Sequence, residues 1–219
     1  MTTRTPPPAA VAKPRVRRGP AEMAQLKLKL LELARGIHDA EGPAALSMRR
    51  LAQDAGLSTM ALYSYFPNKQ ALLEGLWLEV FEALLAELLA ASMGRRAPLK
   101  VMEGHLRSFL AFWEARPEQF RMIYMSTPQG DGKEAVPMKD QPVYRQLIQL
   151  ERERVAACAG TTEPSEVRLA EASALSLIKL VGYLLVVLGM PRYPLPERMQ
   201  LRERVIADSL HGIVKTLAS

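Results

Sequence analysis

The 219-residue sequence predicts an all-α protein. Leu, Ala, Glu, Arg and Met dominate, and these are strong helix formers. Apolar residues recur at i, i+3, i+4 and i+7 over long stretches. Neither strict apolar–polar alternation nor runs of Val, Ile and Thr bounded by turns occur, so strands have little support. An apolar content of 48% is enough to bury a real core in one large domain or two small ones.

The opening "MTTRTPPPAAVAKPRVRRGP" holds five prolines, five basic residues and no acid, and predicts a disordered basic arm over residues 1–19. The first helix starts at Pro20, where the missing N–H costs nothing, and carries Met23, Leu26, Leu30, Leu33, Ala34 and Ile37 at helical spacing. Gly42 and Pro43 end it. A short second helix fits Ser47 to Ala55, with Ser47 as N-cap and Met48, Leu51, Ala52 and Ala55 on one face. Gly56 suits a left-handed helix end, and Ser58 then caps a third helix running to about Tyr65. Pro67 is expected to open a much longer fourth helix, whose stripe from Leu72 to Leu88 carries it to about Ser92. Five further helices are expected at about 98–115, 117–126, 142–159, 163–190 and 196–217. Between the second and third of these, "STPQGDGKEAVPMKDQ" (126–141) reads as a mobile loop or solvated connector. The domains predicted are the arm 1–19, a compact unit 20–66, a connecting helix 67–92 and a C-terminal helical unit 93–219.

Net charge is +6, and its placement is informative. The first 69 residues hold 11 of the 29 basic and 5 of the 23 acidic residues, leaving 18 of each in the remainder. The whole excess therefore sits in the first third, which points that third towards a polyanion. The single Cys158 cannot form an internal disulfide, and its basic neighbours Arg152 and Arg154 are too few to argue for a redox sensor. No secretory apolar stretch opens the chain, so the cytoplasm is the expected compartment. The most apolar segment, Leu175 to Met190, is shorter than a bilayer requires and contains Lys179; it is expected to be a buried helix, with no membrane partner. No cluster of His, Cys and carboxylate suggests a metal, and no cofactor is expected.

The stretch "MALYSYFPNK" (60–69) admits three readings. Tyr65 and Lys69 are four apart, as in the Tyr-x-x-x-Lys pair of a dehydrogenase, but Pro67 falls between them and no Gly-rich strand-to-helix turn exists to cradle a dinucleotide. No catalytic residue is therefore assigned. Leu62 and Phe66 share an inward face with Leu57 and read as core. What is left, Thr59, Met60, Ala61, Tyr63 and Ser64, forms a low surface on a short helix. Two short helices joined through a Gly turn make a helix-turn-helix, whose second helix fits a major groove about 12 Å wide. Tyrosine hydroxyls and Lys69 can donate to phosphates, as can the N–H groups at helix starts capped by Ser47 and Ser58.

The segment "LSMRRLAQDAGLSTMALYSYFPNKQALLEGL" (46–76) resembles the DNA-binding signature of the TetR family of bacterial transcriptional regulators (TetR/AcrR-like). The resemblance rests on the Leu-Ala pair at 51 and 52, Gly56, Leu62-Tyr63, Phe66, Asn68-Lys69 and Leu72-Leu73, and covers about residues 21–92 at motif level. It implies an N-terminal three-helix helix-turn-helix domain followed by a C-terminal helical ligand-binding and dimerisation domain. By the same resemblance Thr59, Met60, Ala61 and Ser64 face base edges, while Tyr63, Tyr65 and Lys69 hold phosphates. Arg49 matches a place from which some members reach a base; a bidentate guanine contact and a plain phosphate contact both remain open. Thr59 and Met60 would favour thymine methyls. The basic arm would add counterion release or enter a minor groove.

A recognition helix of two turns reads only three or four base pairs, so a homodimer on a palindromic double-stranded operator is expected. The last two helices are the expected interface, with Met199, Val205, Ile206, Leu210, Ile213, Val214 and Leu217 striping the second of them. Met102, His105, Phe109, Phe112, Trp113, Met122, Tyr124 and Met125 read either as core or as the lining of a pocket for an apolar or aromatic effector. The resemblance implies a repressor released by such a small molecule through movement of the fourth helix; a regulator that binds DNA constitutively is the alternative.

Overall fold

A computed structural model describes residues 19–42, 44–94, 97–125, 138–160, 163–190 and 192–218. The expected arm (1–18) and most of the expected loop (126–137) lie outside the described residues. The described residues form nine α-helices and one 3-10 turn, Met138–Asp140, without a strand. The helices are α1 Pro20–Glu41, α2 Met48–Asp54, α3 Thr59–Tyr63, α4 Lys69–Ala91, α5 Pro98–Glu114, α6 Pro117–Tyr124, α7 Pro142–Ala157, α8 Glu166–Gly189 and α9 Arg198–Ala218.

Local chemistry sets most of these boundaries. Proline occupies the first turn of α1, α5, α6 and α7, where no backbone N–H is missed. Gly42 ends α1 at φ 83° and Gly56 ends the α2 turn at φ 65°, a region in which a side chain is strained. One expected start differs. Pro67 does not open α4; Asn68 does, its Oδ1 accepting from the Ala71 backbone N–H at 2.7 Å. An amide side chain that satisfies a free N–H outweighs the preset φ of proline two residues from the helix.

Two hydrophobic cores share α4. Leu30, Leu31, Ala34 and Ile37 of α1, Leu51 and Ala52 of α2, Leu62 of α3, Phe66, and Leu72 and Leu76 of α4 form the first. Each fully buried leucine there contributes roughly 2 kcal/mol by transfer from water. Gly75 lets α4 pass close to α1, since a Cβ at that point would stand 2.8 Å from Leu31 Cδ2. One turn further on, α4 enters the second core through Val80, Phe81, Leu84 and Leu88, packed on α5 and α7, with α8 and α9 completing that core. Met122 of α6 belongs to the first core, not to the C-terminal set in which the sequence placed it.

The expectation for the most apolar segment also changes. α8 spans 24 residues because Ser165 caps it well before Leu175, and by length and composition alone it could cross a membrane, with a mean hydropathy of 2.0. It is not a buried helix: only 33% of its most apolar window is covered within the chain. Leu175, Leu177 and Ile178 face outward, as do Met199 and Val214 of α9, whereas Ile206, Ile213 and Leu217 of the predicted α9 stripe are buried in their own core.

Candidate nucleic-acid interface

The two short helices are held by side-chain caps. Ser47 Oγ accepts from the Arg50 N–H and Ser58 Oγ from the Ala61 N–H, both at 3.1 Å. Between the helices the Leu57 N–H returns to the Ala52 carbonyl at 2.8 Å and the Gly56 N–H to the Gln53 carbonyl at 3.1 Å, closing a tight turn around Gly56. Leu62 and Phe66 then anchor α3 from beneath. This leaves Thr59, Met60, Tyr63 and Ser64 on the open face, with Met60 76% and Tyr63 45% exposed.

The other predicted contacts are placed less openly. Ala61 is half-buried, Tyr65 is half-buried against the first core, and Lys69 is the half-buried first residue of α4. Ser47 and Ser58 are exposed, but their hydroxyl oxygens already serve the caps. Ser64 Oγ donates to the Ala61 carbonyl at 2.6 Å. Tyr65 follows α3 while Lys69 opens α4, so the two do not share a helix.

The adjacent arginines of α2 separate by function. Arg50 is held by Asp54 at 2.7 Å and by both oxygens of Glu41 at 2.9 and 3.2 Å, tying α2 to the end of α1 and raising its pKa through those hydrogen bonds. Arg49 is exposed, with no partner among the described residues. The sequence shows two equivalent cations; only the fold leaves one free for an anion.

The link to the C-terminal unit runs through α4 and α6. Arg35 of α1 pairs with Glu79 of α4. On α6, Met122 enters the first core, Phe120 and Tyr124 enter the second, and Arg121 donates twice to the Leu188 carbonyl at the end of α8, at 2.8 and 3.2 Å. Of the predicted effector set, Met102, His105, Phe109, Phe112 and Trp113 are all buried. Trp113 is the hub of edge-on contacts to Phe109, Phe112, Phe120 and Tyr124, with centroids 5.0 to 6.3 Å apart. Tyr124 is half-buried, and Met125 is 44% exposed beside Gly189, where a Cβ would stand 2.7 Å from its Cε.

Two interior groups on α7 escaped the sequence reading. Arg154 is buried and donates to His105 Nδ1 at 2.6 Å, to the Leu88 carbonyl at 2.9 Å and to Ser92 Oγ. It therefore caps the C-terminal end of α4, where the helix dipole favours a cation. Burial, and secondarily the Arg154 charge, lower the His105 pKa to about 3, so the ring is neutral and free to accept. Glu151, one turn earlier, is raised to about 7 by burial. The only sequence signal for either is a charged residue at a core-facing helical position.

Residues 30–76 match the profile of bacterial regulatory proteins of the tetR family. The chain is 33% identical over 94 residues to the nucleoid occlusion factor SlmA of Vibrio vulnificus, covering 43% of this chain and 48% of that one. It is 47% identical over 57 residues to the HTH-type transcriptional repressor DrrR1 of Streptomyces coeruleorubidus, covering 26% and 21%. The chain thus spans about half the length, or less, of the curated relatives it matches. A crystal structure of a TetR/AcrR-family transcriptional regulator from Thermobifida fusca shares the fold, with a TM-score of 0.61 at 18% identity over 86% of this chain and 98% of that one. A capped helix-turn-helix thus stands ahead of a helical C-terminal unit, and its α1-to-α4 segment carries the tetR-family profile of bacterial regulatory proteins.

Proposed function

We propose that the chain is a transcriptional repressor that binds a palindromic operator as a homodimer and is released by a small, largely apolar effector. The observation that carries the reading is the outward face of α3: Thr59, Met60, Tyr63 and Ser64 stand open over a base locked by Leu62, and Arg49 of α2 is exposed with no partner among the described residues. Short side chains let the backbone approach base edges, and Met60 and Thr59 suit thymine methyls. Tyr63, Lys69 and the N–H groups at the start of α4 are suited to phosphates. With five residues α3 is roughly 7.5 Å long and reads only a few base pairs. The exposed apolar faces of α8 and α9 support pairing two copies into a four-helix bundle.

Selection from a randomised duplex library tests this. The enriched site should carry two inverted half-sites about 34 Å apart and bind two chains; a single half-site binding one chain would sink the dimeric reading. Thr59→Ala with Met60→Ala should change the base preferred within each half-site, and unchanged preference would remove those residues from readout.

Constitutive binding without an effector is favoured by one observation, the close packing of most of the predicted effector set around Trp113. Operator affinity measured against a panel of small amphipathic compounds separates the two, because only the effector-responsive protein loses affinity.

A further inference from the structure

We infer that one water molecule, seated where α1, α4 and α6 meet, bridges His38 Nε2 to the Gln119 amide, and that this bridge holds the helix-turn-helix unit in register with the C-terminal unit. The water site stands without any functional reading; its effect on operator binding rests on the DNA-binding reading.

The site is a cavity of about 10 Å³, the room that one water needs. Arg35 and His38 of α1 and Gln119 of α6 line it, with Leu76 and Val80 of α4 as its apolar wall. It therefore lies across the boundary between the two units. α6 packs chiefly on α5 and α8 and reaches the first core through Met122 and Ile123, so the cavity sits where α6 takes hold of the N-terminal unit.

His38 sets the chemistry of the site. Its side chain is only 3% exposed, and Nδ1 stands 3.1 Å from Asp39 Oδ1. An ionised carboxylate only accepts, so Nδ1 donates, and in the neutral ring Nε2 is left with the lone pair. Nε2 is buried and has no partner among the described residues. A buried acceptor left unmet costs more than a typical hydrogen bond contributes, so folded interiors meet such groups with protein or with water.

The other partners of a bridging water are in place. Gln119 is half-buried, and its amide makes no hydrogen bond among the described residues. Arg35 gives one N–H to Glu79 of α4 and keeps further N–H groups on the cavity wall. With Nε2 these make three contacts, the usual number for a buried water.

Urea denaturation and nuclear magnetic resonance of the full chain test the inference. If His38 is bridged, His38→Leu lowers the denaturation midpoint, because Gln119 and the water lose their acceptor; if it is not, the same change raises the midpoint, because an unmet acceptor is removed. Gln119→Leu should lower the midpoint as well, and the double variant should lose clearly less than the sum of the two. His38→Gln, whose amide oxygen can accept, should keep most of the parent midpoint. Magnetisation transfer from a long-lived water should reach the His38 ring in the parent and vanish in Gln119→Leu. Operator affinity should fall about fivefold in each leucine variant, the effect of one hydrogen bond, with the preferred sequence unchanged. A raised midpoint in His38→Leu, additive losses, or no water at the ring each overturns the bridge. Unchanged operator affinity in both leucine variants overturns its positioning role. A parent chain that binds no DNA sinks the DNA-binding reading alone, since the denaturation and resonance measurements need no operator.

Discussion

His105 and Glu151 should give the protein a stability that hardly changes between pH 7.5 and 5, and either substitution should expose a slope. His105 titrates at about 3 in the folded chain against an ordinary 6.5. Its contribution is intact above 6.5 and is lost as pH falls towards 3, because the unfolded chain takes up a proton that the folded one refuses. At pH 5 the loss is roughly 2 kcal/mol, from 1.36 kcal/mol per pH unit over the 1.5 units below 6.5. Glu151 titrates at about 7 against 4.5, so its carboxylate penalises the fold at pH 7.5 and the penalty fades as pH falls towards 4.5. That change is a gain of roughly 2 kcal/mol over the same interval. The two nearly cancel. Urea denaturation at fixed protein concentration should show Glu151→Gln losing roughly 2 kcal/mol more than the parent between pH 7.5 and 5. His105→Gln, which preserves an acceptor for Arg154, should gain a similar amount relative to the parent. Parallel pH profiles for the parent and both variants would refute this account of the interior.

Three further outcomes follow from the geometry. Arg49→Ala should weaken DNA binding and lower the slope of log affinity against log salt by about one, with the midpoint of urea denaturation unmoved; Arg50→Ala should lower that midpoint first, because its guanidinium joins α2 to the end of α1. Ile178→Glu, at a site 64% exposed on α8, should convert a sedimenting dimer to a monomer without loss of helical circular dichroism; persistence of the dimer would move the interface elsewhere. Gly56→Ala, at φ 65°, should cost about 1 kcal/mol in denaturant midpoint and weaken DNA binding with it; full retention of both would show that the turn does not need its left-handed residue.

Much of the fold was legible in the sequence because its determinants are local. Ser47, Ser58 and Gly56 are read within a few residues of where they act, and the proline starts of α1, α5, α6 and α7 likewise. Asn68 was passed over for Pro67 because both are start signals and only the hydrogen bond to Ala71 decides between them. The open face of α3 was legible for the same reason: on a helix as short as α3, one buried Leu62 determines which residues look out.

The effector set was not legible to that degree. Aromatic and methionine content along α5 and α6 identifies residues that leave water, but not which core receives each, and Met122 went to the first core while its neighbours went to the second. Charge bookkeeping along the chain cannot distinguish Arg49 from Arg50, since the partner Glu41 belongs to another helix. It also cannot show that Arg154 closes α4, or that Glu151 has no partner among the described residues, because both depend on which side chains α4, α5 and α6 bring to α7. The sequence by itself determined the helices, their caps and the placement of positive charge, all short-range properties. The tertiary structure alone decided which polar groups are satisfied, because a hydrogen bond between distant residues exists only once packing has brought them together.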